Sequence, residues 1–331
     1  MRKILITGGA GFIGVNFVHY WKQQHPEDFI INLDALTYAG NRQSQAEYEG
    51  RDFYYFVHGN ICDEQLLHEI FTGVYECLPK PDIIVHFAAE THVDRSIDDA
   101  YPFVKTNVLG TQNLLEMARQ FGKIRFHHVS TDEVFGHLGP NDPPFCESTP
   151  YAPRSPYAAS KAGSDHLVRS YHQTYGLPVT ISNCSNNYGP YQFPEKLISL
   201  AITNLLQGKK VPIYGQGNNI RDWLFVDDHS RALEKIILEG TIGETYCVGG
   251  GGAERTNLEV VQTIIKAMGK EKEMIELVRD RPGHDFRYAI DHSKITRELG
   301  WKPSVDFEEG IRRTVEWYRN HEGWWGEMIE N

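Results

Sequence analysis

Apolar and polar positions alternate in blocks along about the first 180 residues of the chain. Short β-branched and apolar runs predict strands at Ile4–Ile6, Ile30–Leu33, Phe53–Val57, Ile83–Phe87, Arg125–Val129 and Val179–Asn183. Amphipathic stretches between these runs predict helices near 12–25, 63–73, 103–121 and 156–175. Because the strands are apolar throughout and alternate with helices, the pattern predicts a parallel sheet with helices on both faces.

The pattern changes after about residue 184. Turn-rich segments at Asn186–Pro190 and Tyr214–Asn219, and four glycines at 249–252, now separate helical patterns near 195–207, 227–239, 256–268 and 306–320. We therefore predict an α/β chain of two domains. We expect residues 1–183, to which about 224–248 returns, to form the larger domain, and 184–223 with 249–331 to form a smaller, mixed α/β domain.

Charge and cysteine content narrow the class of protein. The formal net charge is -11, and because no run of Lys and Arg offsets it, a nucleic-acid partner is not expected. The five cysteines are scattered without a Cys-x-x-Cys pair, which favours reduced thiols over disulfides or a zinc site. No apolar run approaches the ~18 residues that a membrane-spanning helix requires. We expect a cytoplasmic protein without a membrane partner.

A glycine motif, Gly9-x-Gly11-x-x-Gly14, follows the first predicted strand and opens the first predicted helix. In that context the glycines allow a tight turn and close backbone approach to a pyrophosphate, which is the fingerprint of a Rossmann-type fold. Asp34 ends the second strand, where a carboxylate accepts hydrogen bonds from ribose hydroxyls and repels a 2′-phosphate. The motif therefore predicts NAD, rather than NADP, as the cofactor.

Tyr157 and Lys161 lie four residues apart on a predicted helix and therefore share one face. Ser155 can cap that helix. A lysine ammonium and a nicotinamide cation nearby both favour the phenolate, so we expect them to lower the pKa of Tyr157. Thr131, at the end of the preceding strand, can hold a substrate hydroxyl beside the tyrosine. This constellation resembles the extended short-chain dehydrogenases/reductases.

Asp132 and Glu133 add an acid and a base that simple alcohol oxidation does not need. Loops beyond the carboxyl ends of parallel strands are where ligands bind, although the pair could instead be two solvated carboxylates. Neighbouring carboxyl groups in different environments can hold different protonation states. Dehydration of a 4-keto sugar requires a base for the C5 proton and an acid for the departing C6 hydroxyl, and the pair fits that demand.

Nearly the whole chain resembles the dTDP-glucose 4,6-dehydratase family. The matching segments are Asp34–Asn41, Ala88–Ser96, Thr131–Gly136, Asn183–Pro190, Phe193–Ile198, Arg221–Trp223 and Asp280–Asp285. Some positions depart from the usual pattern, with Asn60, Thr91 and Phe135 standing where Asp, Ser and Tyr are common, but none removes a catalytic group.

The resemblance implies conversion of dTDP-glucose to its 4-keto-6-deoxy product with recycled NAD. It implies Tyr157 as the base at C4, supported by Thr131 and Lys161, with Asp132 as the acid at C6 and Glu133 as the base at C5. It further implies cofactor contacts from Gly8, Gly11, Phe12, Ile13, Gly14, Asp34, Leu36, Thr37, Asn60, Ile61, Phe87, Ala88, Ala89, Thr91, Thr106, Tyr157, Lys161 and Asn187. Implied substrate contacts are Thr91, Thr131, Asp132, Glu133, Asn187, Lys196, Leu197, Pro212, Tyr214, Arg221, Asn257, Arg281, His284 and Asp285.

Alternatives to this reading differ in substrate or in class. The same dehydration could act on UDP-glucose, because neither the glycine motif nor the catalytic motifs distinguish the base of the nucleotide. A non-catalytic dinucleotide-sensing protein could use the same fold, but it needs none of the five catalytic residues. A metal site is not expected, because His92, His127 and His128 show no ligand spacing with cysteine or paired carboxylates.

The resemblance also implies a homodimer through the helices near 103–121 and 156–175. Apolar residues of these helices that could meet across a two-fold axis include Val108, Leu114, Leu115, Leu167 and Val168. The alternative is that they face the monomer's own sheet.

Overall fold

The computed structural model describes residues 1–280 and 284–330, and its largest element is a seven-stranded parallel sheet. The strand order is β10-β6-β5-β4-β1-β2-β3. Its strands are β1 (Lys3–Thr7), β2 (Phe29–Asp34), β3 (Tyr54–His58), β4 (Ile83–His86), β5 (Arg125–Thr131), β6 (Val179–Cys184) and β10 (Thr245–Val248). The first six strands confirm the sequence-based predictions to within one or two residues. The order of these six is that of a Rossmann-type fold.

Both faces of this sheet are covered, because successive strand residues point to opposite sides. Leu5 packs with helices on one side, whereas its neighbours Ile4 and Ile6 pack on the other. The helices are α1 (Phe12–Gln24), α2 (Glu64–Thr72), α3 (Val93–Asp98), α4 (Tyr101–Phe103), α5 (Thr111–Gln120), α6 (Pro156–Tyr175) and α8 (Val226–Glu239). Because the strands bury both faces, β1 and β2 are mostly apolar, whereas β5 and β6 also bury polar side chains.

The helix expected at 103–121 is not uniform. It begins at Tyr101, and a π-helical segment at Val104–Gly110 interrupts it before α5. Within this segment the Asn107 amide donates hydrogen bonds to the Glu90 carbonyl (3.0 Å) and to Ser160 Oγ (2.8 Å). The π turn thereby connects the loop after β4 to the helix α6, and such turns are frequent at functional sites.

A second cluster of elements forms the smaller mixed part of the fold. Its strands are β7 (Asn186–Tyr188), β8 (Val211–Tyr214), β9 (Ile220–Phe225), β11 (Glu254–Thr256) and β12 (Ile275–Val278), arranged as one three-stranded and one two-stranded sheet. Its helices are α7 (Leu197–Leu206), α9 (Asn257–Met268), α11 (Phe307–Asn320) and α12 (Glu322–Glu330), whereas α10 (Ser293–Leu299) packs against β10 of the large sheet and against α8. Short 3-10 segments lie at Arg42–Tyr48, Tyr75–Cys77, Asp132–Phe135 and Lys272–Met274.

The domain boundaries stay a prediction. One domain is expected to comprise 1–183 with about 224–248, and the other is expected to comprise 184–223 and 249–331. One observation is consistent with the returning segment, since β10 pairs in parallel with β6 of the large sheet. The strand β9, in contrast, pairs with β7 and β11 of the smaller part. Among the described residues, no helix has the length and apolar character needed to cross a membrane.

Candidate active site

The first catalytically relevant feature is the crevice beside β1, where the strand order reverses between β2 and β4. Open α/β sheets bind ligands at this position, beyond the carboxyl ends of the strands. A Cβ atom added to Gly14 would lie 2.2 Å from the Gly8 carbonyl oxygen, and one added to Gly8 would lie 2.6 Å from the Ala88 nitrogen. Gly8 also has a φ of 74°, in the left-handed region. Only glycine therefore permits this close packing of turn, helix and strand.

Helix α1 begins directly after this turn, with Gly11 as its N-cap and no capping side chain. Its first N–H groups, together with the positive end of the helix dipole, face the crevice and suit a pyrophosphate. Asp34 lies at the end of β2 and is almost fully buried. Its carboxylate oxygens accept hydrogen bonds from the backbone N–H groups of Ala10 (2.9 Å) and Leu36 (2.8 Å). Each oxygen keeps a further lone pair for a ribose hydroxyl.

The crevice continues into one cavity of about 670 Å³ that runs from the glycine turn to the smaller part of the fold. All expected cofactor residues except one line this cavity, namely Gly8, Gly11, Phe12, Ile13, Gly14, Asp34, Thr37, Asn60, Ile61, Phe87, Ala88, Ala89, Thr91, Thr106, Tyr157, Lys161 and Asn187. Leu36 is the exception. Its φ of 49° turns its N–H toward Asp34, so it supports the carboxylate rather than lining the cavity. The glycine cradle and Asp34 fit NAD.

The redox residues are presented by helix α6. Ser155 caps this helix, as expected, by accepting a hydrogen bond from the Ala158 N–H (3.1 Å). Tyr157 and Lys161 both line the cavity and are buried. The Lys161 ammonium donates a hydrogen bond to the Val129 carbonyl (2.8 Å), which ties α6 to β5. The four-residue spacing thus places both side chains on the face toward the cofactor crevice.

The pKa of Tyr157 differs from the sequence-based expectation. In the protein itself, burial raises the pKa of Tyr157 well above its usual value, and the negative charge of Glu133 raises it further. A hydrogen bond with Thr131 acts in the opposite direction. The chain's own residues therefore keep the phenol protonated, and the expected lowering requires the positive charge of the nicotinamide.

The acid–base pair follows β5 in a short 3-10 turn, Asp132–Phe135. Thr131 Oγ1 caps this turn by accepting a hydrogen bond from the Glu133 N–H (3.2 Å). Asp132 is buried, whereas Glu133 is half-buried, and both line the cavity beside Tyr157. They are therefore not two solvated carboxylates on a surface loop.

The environment of Asp132 favours its protonated form. Burial raises the pKa of Asp132 well above its usual value, and the charges of Glu133 and Asp222 raise it further. Among the described residues, Oδ2 of Asp132 is a buried atom without a hydrogen-bond partner. A neutral carboxyl group with a free oxygen at the cavity wall is suited to donate a proton to a bound molecule.

The far end of the cavity is formed by the smaller part of the fold. Most expected substrate residues line the cavity as a whole, namely Thr91, Thr131, Asp132, Glu133, Asn187, Lys196, Leu197, Pro212, Tyr214, Arg221, Asn257 and His284. Asp285 does not line the cavity but pairs with Arg154 (3.0 Å). Its main-chain carbonyl accepts a hydrogen bond from the Arg221 guanidinium (3.0 Å), so Asp285 holds a lining residue in place. Arg281 lies outside the described residues.

Arg221 is a buried cation at this end of the cavity. Its guanidinium donates hydrogen bonds to the carbonyls of Ile220 (2.7 Å) and Asp285 (3.0 Å) and lies 4.3 Å from the ring centre of Tyr288. These contacts fix the orientation of the planar group. Its charge also acts to lower the pKa of Asp132, which indicates that the two side chains share one electrostatic environment.

Several lining residues were not predicted. They include Glu90, His92, Ser130, Cys184, Ser185, Asn186, Glu195, Trp223 and Tyr288. Glu90, His92 and Glu195 lie inside the segments that carry the resemblance, so the motif was a usable signal for them. Tyr288 had no such signal, because pairing between the segment around Arg287 and Ile220 brings it to the site.

The histidines considered for a metal are hydrogen-bonded instead. His127 contacts Thr180 Oγ1 (3.0 Å) and Ser182 Oγ (3.1 Å), and His128 contacts Ser164 Oγ (3.1 Å). Within the described residues, no group of three or more His, Cys, Asp or Glu side chains could hold a metal ion.

A Rossmann-type sheet with a glycine cradle, a Tyr/Lys pair on α6 and a threonine at the end of β5 defines the class of short-chain dehydrogenases/reductases. Comparison with known proteins narrows the class. A family model described as GDP-mannose 4,6 dehydratase matches residues 5–314. The chain belongs to this family of sugar-nucleotide dehydratases.

Curated relatives within the family share about half of the sequence. The chain is 50% identical to a dTDP-glucose 4,6-dehydratase of Neisseria meningitidis, covering 99% of this chain and 96% of that protein. It is 51% identical to dTDP-glucose 4,6-dehydratase 1 of Escherichia coli, covering 97% and 94%. A Streptomyces venezuelae dTDP-glucose 4,6-dehydratase with NAD and TYD bound has a TM-score of 0.92 at 49% identity, covering 99% and 100%. A UDP-glucose 4-epimerase of Thermotoga maritima reaches 0.88 at 29% identity, covering 96% and 99%.

Proposed function

We propose that this protein dehydrates dTDP-glucose to dTDP-4-keto-6-deoxyglucose with NAD as a recycled cofactor. The observation that carries the proposal is the placement of Asp132 and Glu133 beside Tyr157 in the cavity that also holds the glycine cradle. An enzyme that only oxidises or epimerises C4 has no use for a buried protonated carboxyl group at this position. The identity of about 50% to dTDP-glucose 4,6-dehydratases over nearly the whole chain supports the same activity.

The reaction begins at C4 of the glucose. The hydride that leaves C4 is held by NAD and is added to C6 after the elimination, while the proton that Glu133 removed is returned to C5. Tyr157 takes the proton of the C4 hydroxyl, and Thr131 holds that hydroxyl in place. Lys161 donates a hydrogen bond to the Val129 carbonyl and is a buried cation on the same face of α6 as Tyr157. We propose that this charge helps to stabilise the phenolate while the C4 ketone forms.

The second stage eliminates water across C5 and C6. The C4 ketone makes the C5 proton acidic, and Glu133 is placed to remove it. Asp132 holds a proton because of its raised pKa and gives it to the departing C6 hydroxyl. The two carboxyl groups can act in opposite roles because Asp132 is buried and Glu133 is half-buried.

The sugar nucleotide extends toward the smaller part of the fold. Arg221 is suited to the diphosphate, because a fixed planar guanidinium binds two phosphate oxygens at once. Asn187 contributes a buried Oδ1 that, among the described residues, has no hydrogen-bond partner. Leu197, Pro212 and Tyr214 give an apolar and aromatic wall at the end where the base lies.

The alternatives differ in what they leave unexplained. A UDP-glucose 4,6-dehydratase uses the same catalytic residues, but the relatives at about 50% identity are dTDP-glucose enzymes. A dinucleotide-sensing protein leaves Thr131, Asp132, Glu133, Tyr157 and Lys161 without a purpose. We therefore favour the dTDP-glucose enzyme.

The test is to incubate the purified protein separately with dTDP-, UDP- and GDP-hexoses and to assay 4-keto-6-deoxy products. The proposal expects product from dTDP-glucose at the highest kcat/KM. If UDP-glucose is turned over preferentially, it is the substrate in place of dTDP-glucose. If none of the three gives product, the proposed enzymatic activity is wrong. A Tyr157→Phe variant serves as the matched control for product formed by contaminating enzymes.

We further propose a homodimer through the helices near 103–121 and 156–175, but with different contact residues than the sequence suggested. Leu114, Leu115 and Val168 are fully buried in the monomer's own core. The exposed apolar side chains on this surface are instead Tyr101, Val104, Leu109 and Tyr175, which are 44–71% exposed. Such a patch is suited to an isologous helix contact.

A cytoplasmic location stays a proposal as well. Its support is that all five cysteines are free, as is usual for proteins of a reducing compartment.

A further inference from the structure

Asp165 is a fully buried carboxylate on the catalytic helix that the mechanism above does not use. It lies one helical turn after Lys161 and two turns after Tyr157, on the same face of α6. Burying a carboxylate is costly unless charges or hydrogen bonds compensate it. The contacts of Asp165 therefore show what the buried charge stabilises.

One set of contacts joins Asp165 to the strand that carries the catalytic threonine. Oδ2 of Asp165 accepts hydrogen bonds from Ser130 Oγ (2.9 Å) and from the Asn183 amide (3.3 Å). Ser130 directly precedes Thr131, and the Asn183 amide also donates to the Thr131 carbonyl (3.0 Å). Asp165 thus holds the end of β5 that carries Thr131.

A second set joins Asp165 to its own helix and to the segment before it. Tyr151 donates a hydrogen bond to Oδ2 of Asp165 (2.7 Å), and Arg169 donates one to the Tyr151 hydroxyl (2.7 Å). On the other side, His128 Nε2 lies 3.2 Å from Oδ1 of Asp165. Burial lowers the pKa of His128 to about 4, so near neutral pH the imidazole is uncharged, and among the described residues Oδ1 of Asp165 has no hydrogen-bond partner.

Asp165 also acts on Lys161 through its charge. Burial lowers the pKa of Lys161, and the negative charge of Asp165 acts in the opposite direction. On Asp165 itself burial acts to raise the pKa, but the contact with His128 and the charge of Lys161 outweigh it and lower the pKa. The two buried groups therefore favour each other's charged forms.

We propose that Asp165 is a positioning residue of the dehydratase: through Ser130 and Asn183 it holds the Thr131 end of β5 against α6, the helix that carries Tyr157 and Lys161, for oxidation at C4. This inference rests on the proposed function for its catalytic meaning. The alternative is that Asp165 only fills and satisfies a polar part of the core. A structural role alone predicts lost stability on substitution, with no change in the titration of Lys161.

Other titratable groups near Lys161 and Asp165 could also change charge in the pH range of the experiment. They are His86 on β4, His128 on β5, Cys184 on β6, Asp132 in the turn after β5, Tyr151 before α6, and Tyr157 and Arg169 on α6. Burial lowers the pKa of His86 well below its usual value and raises that of Cys184 to about 12. Neither group therefore titrates in the moderately alkaline range where a lowered lysine loses its proton.

The experiment compares Asp165→Asn, Asp165→Glu and Tyr151→Phe with the unmodified protein. Lysine labelled with carbon-13 at Cε reports the Lys161 pKa by NMR titration, with its resonance assigned from Lys161→Met. Because the negative charge of Asp165 acts to raise the Lys161 pKa, we expect that pKa to fall in Asp165→Asn and to be restored in Asp165→Glu. Tyr151→Phe removes a hydrogen bond to the same carboxylate without a change of charge, so it should leave that pKa in place.

The alkaline limb of kcat/KM on dTDP-glucose should move to lower pH in Asp165→Asn by a similar amount. An unchanged Lys161 pKa in folded Asp165→Asn, or a pH profile reduced by the same factor at every pH, would show a structural role only. Thermal unfolding and NAD content identify any variant that fails to fold. If Asp165→Asn does not fold, the Lys161 pKa is compared between Asp165→Glu and Tyr151→Phe, and the proposal expects both to keep it in place. The NMR titration does not depend on turnover, so it separates failure of this inference from failure of the proposed substrate.

Discussion

Replacing Asp132 with asparagine tests whether this buried carboxyl group carries a proton in the folded protein. Asparagine has nearly the same shape, but it neither ionises nor transfers a proton. In the folded protein the pKa of Asp132 is well above its ordinary value of 3.8, chiefly because the group is buried. Above that ordinary value the folded protein therefore binds one proton more than the unfolded chain.

The magnitude follows from this proton difference. A group that is protonated when folded and ionised when unfolded lowers stability by about 1.4 kcal/mol for each pH unit above its unfolded pKa, up to its folded pKa. Asp132→Asn removes this penalty. The free energy of unfolding of the variant, relative to the unmodified protein, should therefore rise by about 1.4 kcal/mol per pH unit across the mildly acidic range. Groups common to both proteins largely cancel in the difference.

Urea unfolding of both proteins at a series of pH values measures this difference. In parallel, stopped-flow absorbance should show that Asp132→Asn still reduces its bound NAD when substrate is added. Steady-state dehydration should fall by about 10²–10⁴-fold, as is usual when a general acid is removed. A stability difference that stays constant with pH would refute the protonated state of Asp132, and an undiminished dehydration rate would refute its role as the acid.

The other catalytic and binding residues give further predictions. Glu133→Gln should still reduce its bound NAD but form little product, whereas Tyr157→Phe should neither reduce NAD nor form product. Rapid-mixing absorbance measures NAD reduction, and a product assay measures dehydration. Near-normal dehydration by Glu133→Gln would refute its role as the base at C5. Arg221→Ala should weaken substrate affinity by about 30- to 150-fold through loss of charge-assisted hydrogen bonds, with NAD content unchanged. Calorimetric titration tests this, and unaltered affinity in the folded variant would contradict it. A double variant, Val104→Glu with Leu109→Glu, should convert a dimer to a monomer in light scattering; a monomer before substitution would refute the dimer.

Much of the large sheet could be predicted from the sequence, because its physical signal is local. A strand buried on both faces is mostly apolar, as Ile4–Ile6 is throughout and Ile30–Leu33 is apart from Asn32. The glycine turn is equally local, since the close approach of Gly14 to the Gly8 carbonyl tolerates no side chain. The protonated state of Asp132 was suggested only in outline, because its pKa depends on burial by residues far away in the chain.

Features that depend on packing between distant parts of the chain could not be predicted from local sequence patterns. Tyr288 enters the cavity because its segment pairs with Ile220, and no local pattern specifies that pairing. Leu114 and Leu115 carry the same apolar signal whether they meet a partner or the monomer's own sheet. In the structure both belong to the core, as does Val168, so apolar periodicity alone does not distinguish core residues from residues of an interface.

The central claim is that one hydride leaves C4 and returns to C6 of the same sugar within one cavity. The most direct measurement is to convert dTDP-glucose deuterated at C4 and to locate the label in the product by NMR and mass spectrometry. The account predicts deuterium at C6, with no net formation of free NADH. Deuterium lost to solvent or released in NADH would contradict it.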